Sequence, residues 1–386
     1  MIRSALACLA LSALAACSTP ERAAREPLGY MPSAVTSARP EWIPWTVRAG
    51  KPIAPDPRER HLTEIRQLTL GDGENTEAYW SPDGHALIFQ STRDGRACDQ
   101  MYTMDLGTGE VARVSTGGGR AAHGFFFYPA GDRVLYSSTL AAGSDCPPRP
   151  DHAQGYAWSL DPFQVYAARL DGSDRRLLLG GKGYTAETTA SLDGTRLVFT
   201  STRDGDLELY TANRDGGEVR RITHSPGYDG GAVFSPDGAK LVWRAHRPTG
   251  QELDDYRALL QRGLVRPTTL EIMVGGAEGQ NARAVTRNGK VNVAPSFLHD
   301  SRRVIFASNA DAAPSQGRSP NVELYLVDPG APPTMEGVPP LERVTFHEGF
   351  DGFPMFSPDG QHLAFASSRF ASRPGETNLF VARWIE

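Results

Sequence analysis

Six residues of this 386-residue chain stand at one recurring point of a repeating pattern: Glu77, His123, Glu187, Asp229, Asn292 and Asp351. Four carboxylates and an imidazole around one mouth would suit a divalent cation or a basic ligand. Crowded carboxylates raise one another's pKa unless a cation or an Arg neutralises them. The plainer reading is a ring of solvated turn residues that cap backbone N–H groups. The binding candidates are therefore Glu77, His123, Glu187, Asp229 and Asp351, with metal ligation open. Of the nine His, only His123 and His246 fall near the mouth. No catalytic residue stands out: there is no Gly-x-Ser-x-Gly elbow and no His-Glu-x-x-His.

The elements that must position these residues follow from an internal repeat. Ser81-Pro82-Asp83-Gly84 recurs at Ser235–Gly238 and Ser357–Gly360, and Ser191-Leu192-Asp193-Gly194 differs at one residue. Tyr128–Gly131 and Leu298–Ser301 are worn copies. Pro presets φ at the second turn position, Asp bonds its own backbone, and Gly accepts the positive φ that closes a hairpin. A period-two strand follows each turn, as in Arg196-Leu197-Val198-Phe199-Thr200. Then come a polar turn such as Ser201-Thr202-Arg203-Asp204-Gly205, a third strand and a short edge strand. Arg93-Asp94-Gly95 and Arg203-Asp204-Gly205 sit in that polar turn, with Arg bonding inside its own repeat.

Four short antiparallel strands per repeat, in six repeats, cannot bury their faces singly. Packed radially they can, so the expected fold is all-β: a six-bladed β-propeller. The last repeat reaches Glu386 after its third strand. Glu64–Thr69, ahead of the first repeat, has the form of the missing outer strand and is expected to complete blade six.

The repeat resembles the WD40-like PD40 repeat of TolB-type propellers. Gly183–Glu187, Phe199–Tyr210, Gly227–Gly231, Gly263–Pro267 and Gly349–Phe356 are similar to single-propeller TolB-like proteins, over about Leu62 to Glu386. The resemblance implies a non-enzymatic docking surface for an envelope protein or peptide, or a peptidoglycan-associated partner, and a monomer. TolB itself carries an α/β domain ahead of its propeller, which is replaced here by tether-like sequence. The TolB role of linking Tol proteins to the lipoprotein Pal is therefore not carried over. PD40-type repeats also occur in a metal-dependent oligogalacturonate lyase. That implies the alternative: a metal- or small-ligand site acting on acidic sugars. No cofactor is otherwise expected.

Residues 1–17 read as a signal peptide. Leu14-Ala15-Ala16-Cys17 resembles a lipobox, which would make Cys17 the lipidated N-terminus. Ser18 follows, and by resemblance the destination is the periplasmic face of the outer membrane. Residues 18–60, rich in Pro, Ala and Arg, read as a tether, with Trp42 and Trp45 docking on the propeller of 61–386. In an oxidising compartment Cys98 and Cys146 are either a disulfide or two buried thiols. Three long insertions are expected on the mouth face: Leu140–Trp158, Pro248–Pro267 with a helix over Glu252–Arg262, and Ala310–Pro320. A net charge of −5 argues against nucleic acid. No apolar run is long enough to span a membrane, so the membrane is met only through the lipid.

Overall fold

Each repeat starts from a turn that its own side chains hold shut. Ser81 Oγ donates to Asp83 Oδ1 (2.6 Å) and accepts from Ala86 N (2.9 Å). Asp83 Oδ1 also accepts from His85 N (3.0 Å), and Gly84 takes φ +74°. The Ser–Asp bond recurs at Ser235, Ser357 and Ser191. Leu192 replaces Pro without loss because the bonds come from Ser and Asp. In blade five Ser301 takes the positive φ (55°), and Asp300 Oδ1 accepts from Arg302 N and Arg303 N.

A computed structural model describes residues 47–71, 73–150, 155–312 and 321–386. The signal peptide, Cys17, Trp42 and Trp45 lie outside the described residues. The repeats form six antiparallel blades. From inner to outer strand, blade one is Asn75–Trp80, Ala86–Ser91, Gln100–Asp105 and Val111–Arg113. Blade two is Ala121–Phe126, Arg133–Ser138, Gln164–Arg169 and Arg176–Leu179. Blade three is Thr185–Ala190, Arg196–Ser201, Glu208–Asn213 and Arg220–Arg221. Blade four is Tyr228–Phe234, Lys240–His246, Glu271–Gly276 and Arg283–Ala284. Blade five is Asn292–Phe297, Val304–Ser308, Glu323–Val327 and Leu341–Arg343. Blade six is Asp351–Phe356, His362–Ser367 and Asn378–Trp384, closed by Leu62–Gln67. Each inner strand touches those of the blades on either side, so the ring is complete.

The closing strand pairs Leu62 with Trp384 and Gln67 with Phe380. It starts two residues before Glu64, and Thr69 lies past its end but bonds Asn378 Oδ1 (3.0 Å). Blade six also gains a fifth strand, Lys51–Pro52, which departs from the four-stranded pattern. The propeller body therefore includes residues from Val47, inside the expected tether. Val47, Ala49 and Glu59 are buried, and Ala49 N donates to Leu106 O (2.9 Å). This segment has no period of its own because it contributes one two-residue strand and isolated contacts to the blades.

The core between blades is mainly aliphatic, and four blades add an aromatic pair across their second and third strands. Phe89, Phe199, Phe306 and Phe365 pair with Tyr102, Tyr210, Tyr325 and Phe380 at 5.5–6.2 Å. Arg203 lies over Phe199 and Tyr210 (4.9 and 5.0 Å), and Tyr210 OH donates to Asp204 Oδ2 (2.8 Å). Arg93 and Asp94 repeat this in blade one. Such stacking contributes about 0.5–2 kcal/mol, so these Arg-Asp-Gly turns hold their own blades. Cys98 and Cys146 form a disulfide (S–S 2.07 Å) between the second-to-third-strand loops of blades one and two.

Candidate functional site

Every inner strand carries a β-bulge, and the first bulged residue takes positive φ. These are Glu77 (51°), His123 (53°), Glu187 (53°), Gly231 (62°), Ala294 (50°) and Phe353 (54°). Five of the six are not glycine, and such backbone costs about 1–3 kcal/mol per residue. Bulges re-aim side chains. Here they turn one residue per blade into the channel, around a cavity with ≈ 30 Å³ of space for water centres.

The cavity has two chemical halves. Glu77, His123, Glu187 and Arg244 form the charged wall, from blades one to four. Ala294, Pro295, Phe353, Pro354 and Met355 form the apolar wall, from blades five and six. Arg244 comes from the second strand of blade four and fills the place that Gly231 leaves open. Its guanidinium donates to Glu187 Oε1. Glu187 Oε2 accepts from Thr200 Oγ1 (2.7 Å) and Gly231 N (2.9 Å). Burial raises the Glu187 pKa, but Arg244, His123 and these bonds outweigh it and hold the carboxylate below its usual range. Burial pushes Glu77 up, opposed by His123. His123 Nε2 stands 3.9 Å from Glu77 Oε2, beyond hydrogen-bond reach. Glu77 Oε2, His123 Nδ1, Thr188 Oγ1 and Arg244 Nε are buried without a hydrogen-bond partner.

The structure thus brings together Glu77, His123 and Glu187 and leaves out Asp229 and Asp351. Those two, with Asn292, lie two residues before the bulge and are fully buried. Trp243 Nε1 (2.7 Å) and Arg247 Nη2 (2.6 Å) donate to Asp229 Oδ1. Arg369 Nη2 donates to Asp351 Oδ2 (2.7 Å), and Ser308 Oγ donates to Asn292 Oδ1 (2.7 Å). Glu77 and Glu187 stand four residues before their turns, at the bulge, whereas Asp229, Asn292 and Asp351 stand six before theirs, and the bulge between the two positions keeps them from sharing a face. Arg244 was not among the sequence candidates. The Gly230-Gly231 pair was its one signal, since a glycine among channel-facing residues leaves room for a neighbour.

Two insertions roof the charged half. Trp158-Ser159 of blade two pairs with Leu264-Val265 of blade four. The expected helix is present over Gln251–Gln261, and Tyr256 OH anchors it to Asp206 (2.6 Å). His246 meets Glu252 (3.1 Å) under that helix, outside the cavity lining. Trp158 and Tyr228 flank Arg244 at 5.2 and 5.4 Å, and Phe163 sets its edge to His123 at 5.6 Å. The opposite mouth is mainly apolar, with Trp80, Phe125, Tyr128, Leu192, Phe297 and Phe356. Among the described residues no three His, Cys, Asp or Glu side chains stand together to hold a metal ion. The arrangement is built to hold charge.

No family model matches the chain, and no curated protein does. Solved structures do. A protein assigned as TolB from Agrobacterium tumefaciens aligns with TM-score 0.53 and 19% identity, over 81% of this chain and 91% of that one. The fold is that of a TolB-like propeller. TolB from Acinetobacter baumannii aligns with TM-score 0.48 and 16% identity, over 83% of this chain and 65% of that one. A gluconolactonase from Xanthomonas campestris aligns with TM-score 0.53 and 13% identity, over 86% and 94%. A TolB-like propeller is thus shared by proteins of different activity, and function has to be argued from the site.

Proposed function

We propose that this chain is a lipid-anchored docking scaffold of the cell envelope, held through Cys17 at the periplasmic face of the outer membrane. It binds a segment of another envelope protein or of a peptidoglycan-associated partner. The observation that carries this reading is where the space lies. The channel cavity has ≈ 30 Å³ for water centres, while a groove between the helix and blade three has ≈ 560 Å³. Leu160, Tyr184, Arg257 and Leu260 line that groove. Both insertions bordering it are additions to the repeat, and such loops on a rigid scaffold commonly carry function. The alternative, chemistry on acidic sugars, has no three-ligand metal group among the described residues and a cavity for about two waters.

A photo-crosslinking residue at Leu260 in living cells is expected to capture one envelope protein, and Leu160→Glu to abolish the capture. An unchanged capture pattern in a folded Leu160→Glu protein would overturn the groove. Cys17→Ala is expected to release the protein from the membrane fraction. Continued membrane association would count against the anchor.

A further inference from the structure

The two carboxyl groups in the roofed cavity are unequally partnered. Glu187 is matched by Arg244 and two further donors. Glu77 has only His123, at 3.9 Å, and its Oε2 accepts nothing. An ionised carboxylate buried without a partner is costly, so Glu77 either keeps its proton or takes a cation beside it. A second group points the same way. Thr188 lines the cavity, is 1% exposed, and its Oγ1 is also unpartnered. Opposite them stand Ala294, Pro295, Phe353 and Met355, which offer nothing to a hydrated ion and a dry wall to a hydrocarbon stem. The ≈ 30 Å³ for water centres holds about two water-sized groups at roughly 10–15 Å³ each. Two heavy atoms, one charged and one apolar, match a CH₂–NH₃⁺ terminus.

We propose that this cavity recognises a primary ammonium group on an alkyl stem, with Glu77 and Thr188 accepting from the nitrogen and the Phe353–Met355 wall receiving the carbon. A guanidinium is already supplied from within by Arg244, so the vacant charge position suits a smaller, unbranched head. The group comes either from a free amine or from a lysine side chain of another protein. The inference concerns the cavity and holds whether or not the groove docks a partner.

The test is a titration of the purified protein with methylammonium chloride, followed through the His123 ring resonances by NMR. A saturable shift is expected. Tetramethylammonium, too large and without N–H donors, and sodium chloride at equal ionic strength are expected to give none. Glu77→Gln should weaken binding at least tenfold, and Thr188→Val should weaken it several-fold. No saturation with methylammonium would overturn the proposal, as would an equal response to sodium or tetramethylammonium. These wild-type comparisons decide the matter even if Glu77→Gln fails to fold. An unchanged affinity in a folded Glu77→Gln protein would also overturn it. Putrescine and Nα-acetyl-lysine methylamide carry the group on longer stems. Tighter binding of one names a free amine or a lysine as the source. Binding of neither would overturn the alkyl-stem assignment.

Discussion

Gly231 of blade four lacks a side chain where the Arg244 guanidinium must pass to reach Glu187 of blade three: a Cβ at position 231 would overlap Arg244 Nη1. Gly231 also sits at φ +62°. Gly231→Ala should therefore displace Arg244 and strand a buried carboxylate, with a loss of about 3–5 kcal/mol. Urea unfolding measures it. Arg244→Met should cost a similar amount, and adding Glu187→Gln to Arg244→Met should recover part of it, because position 187 then carries no charge for Arg244 to match. Equal stability of Gly231→Ala and the parent would contradict the steric argument.

A pH effect follows from Asp229. Burial pushes its carboxyl from 3.8 up to about 7, against the pull of Arg247 and Trp243. Between those values the folded chain keeps a proton that the unfolded chain has lost. Stability from this group is thus fully present below pH ~4 and is lost as pH rises through ~7. Asp229→Asn imitates the protonated form. Its unfolding free energy should fall less than that of the parent between about pH 4 and about pH 8. A parallel decline in both proteins would remove Asp229 as the cause.

The Cys98–Cys146 disulfide closes a separation of 48 residues and ties the blade-one loop to the base of the roof. Loop-closure entropy puts its contribution at roughly 4 kcal/mol. Replacing both residues with Ser should lower the midpoint in urea. It should also speed amide exchange in the 140–150 segment before the rest of blade two. Uniform exchange across the blade would show that the bridge acts on the whole ring and not on the roof.

Legibility tracked how local each interaction is. Ser81, Asp83 and Gly84 close a turn within six residues, so their chemistry stands in the sequence itself. The closing strand was legible to within two residues because its pattern repeats that of the other outer strands. Glu187 stands four residues before its turn and Asp229 six before its own, and both blades bulge at the four-residue position, so Glu187 enters the channel while Asp229, like Thr185, falls in the buried layer. A one-residue slip reverses every facing residue in a strand; the residue types do not mark the bulge, but it recurs at a fixed distance before each turn, and only alignment on the turn separates the two layers. Arg244 reaches the site across a strand pair and a blade boundary. Trp158 and Val265 meet across more than a blade of intervening sequence. Neither contact leaves a periodic trace.

Arg369 joins the chain's leading segment to the last blade. It donates to Glu59 Oε2 (2.8 Å) and Asp351 Oδ2 (2.7 Å), and all three residues are buried. Glu59 Oε1 also accepts from Phe346 N (3.1 Å), so one carboxylate binds the blade-five-to-six loop and blade six together. Burial opposes the charge on Arg369, but Glu59 and Asp351 outweigh it and raise its pKa. Arg369→Ala leaves two buried carboxylates facing a void, which should cost about 3–5 kcal/mol. Arg369→Lys keeps the charge but not the fork, and should fall between Ala and the parent. Exchange protection of Leu62–Gln67 is the sharper measure, because that strand follows Glu59 directly and seals the ring. It should drop in Arg369→Ala before any other outer strand loses protection. If protection falls evenly in all blades, Glu59 and Arg369 stabilise the domain without latching its seam.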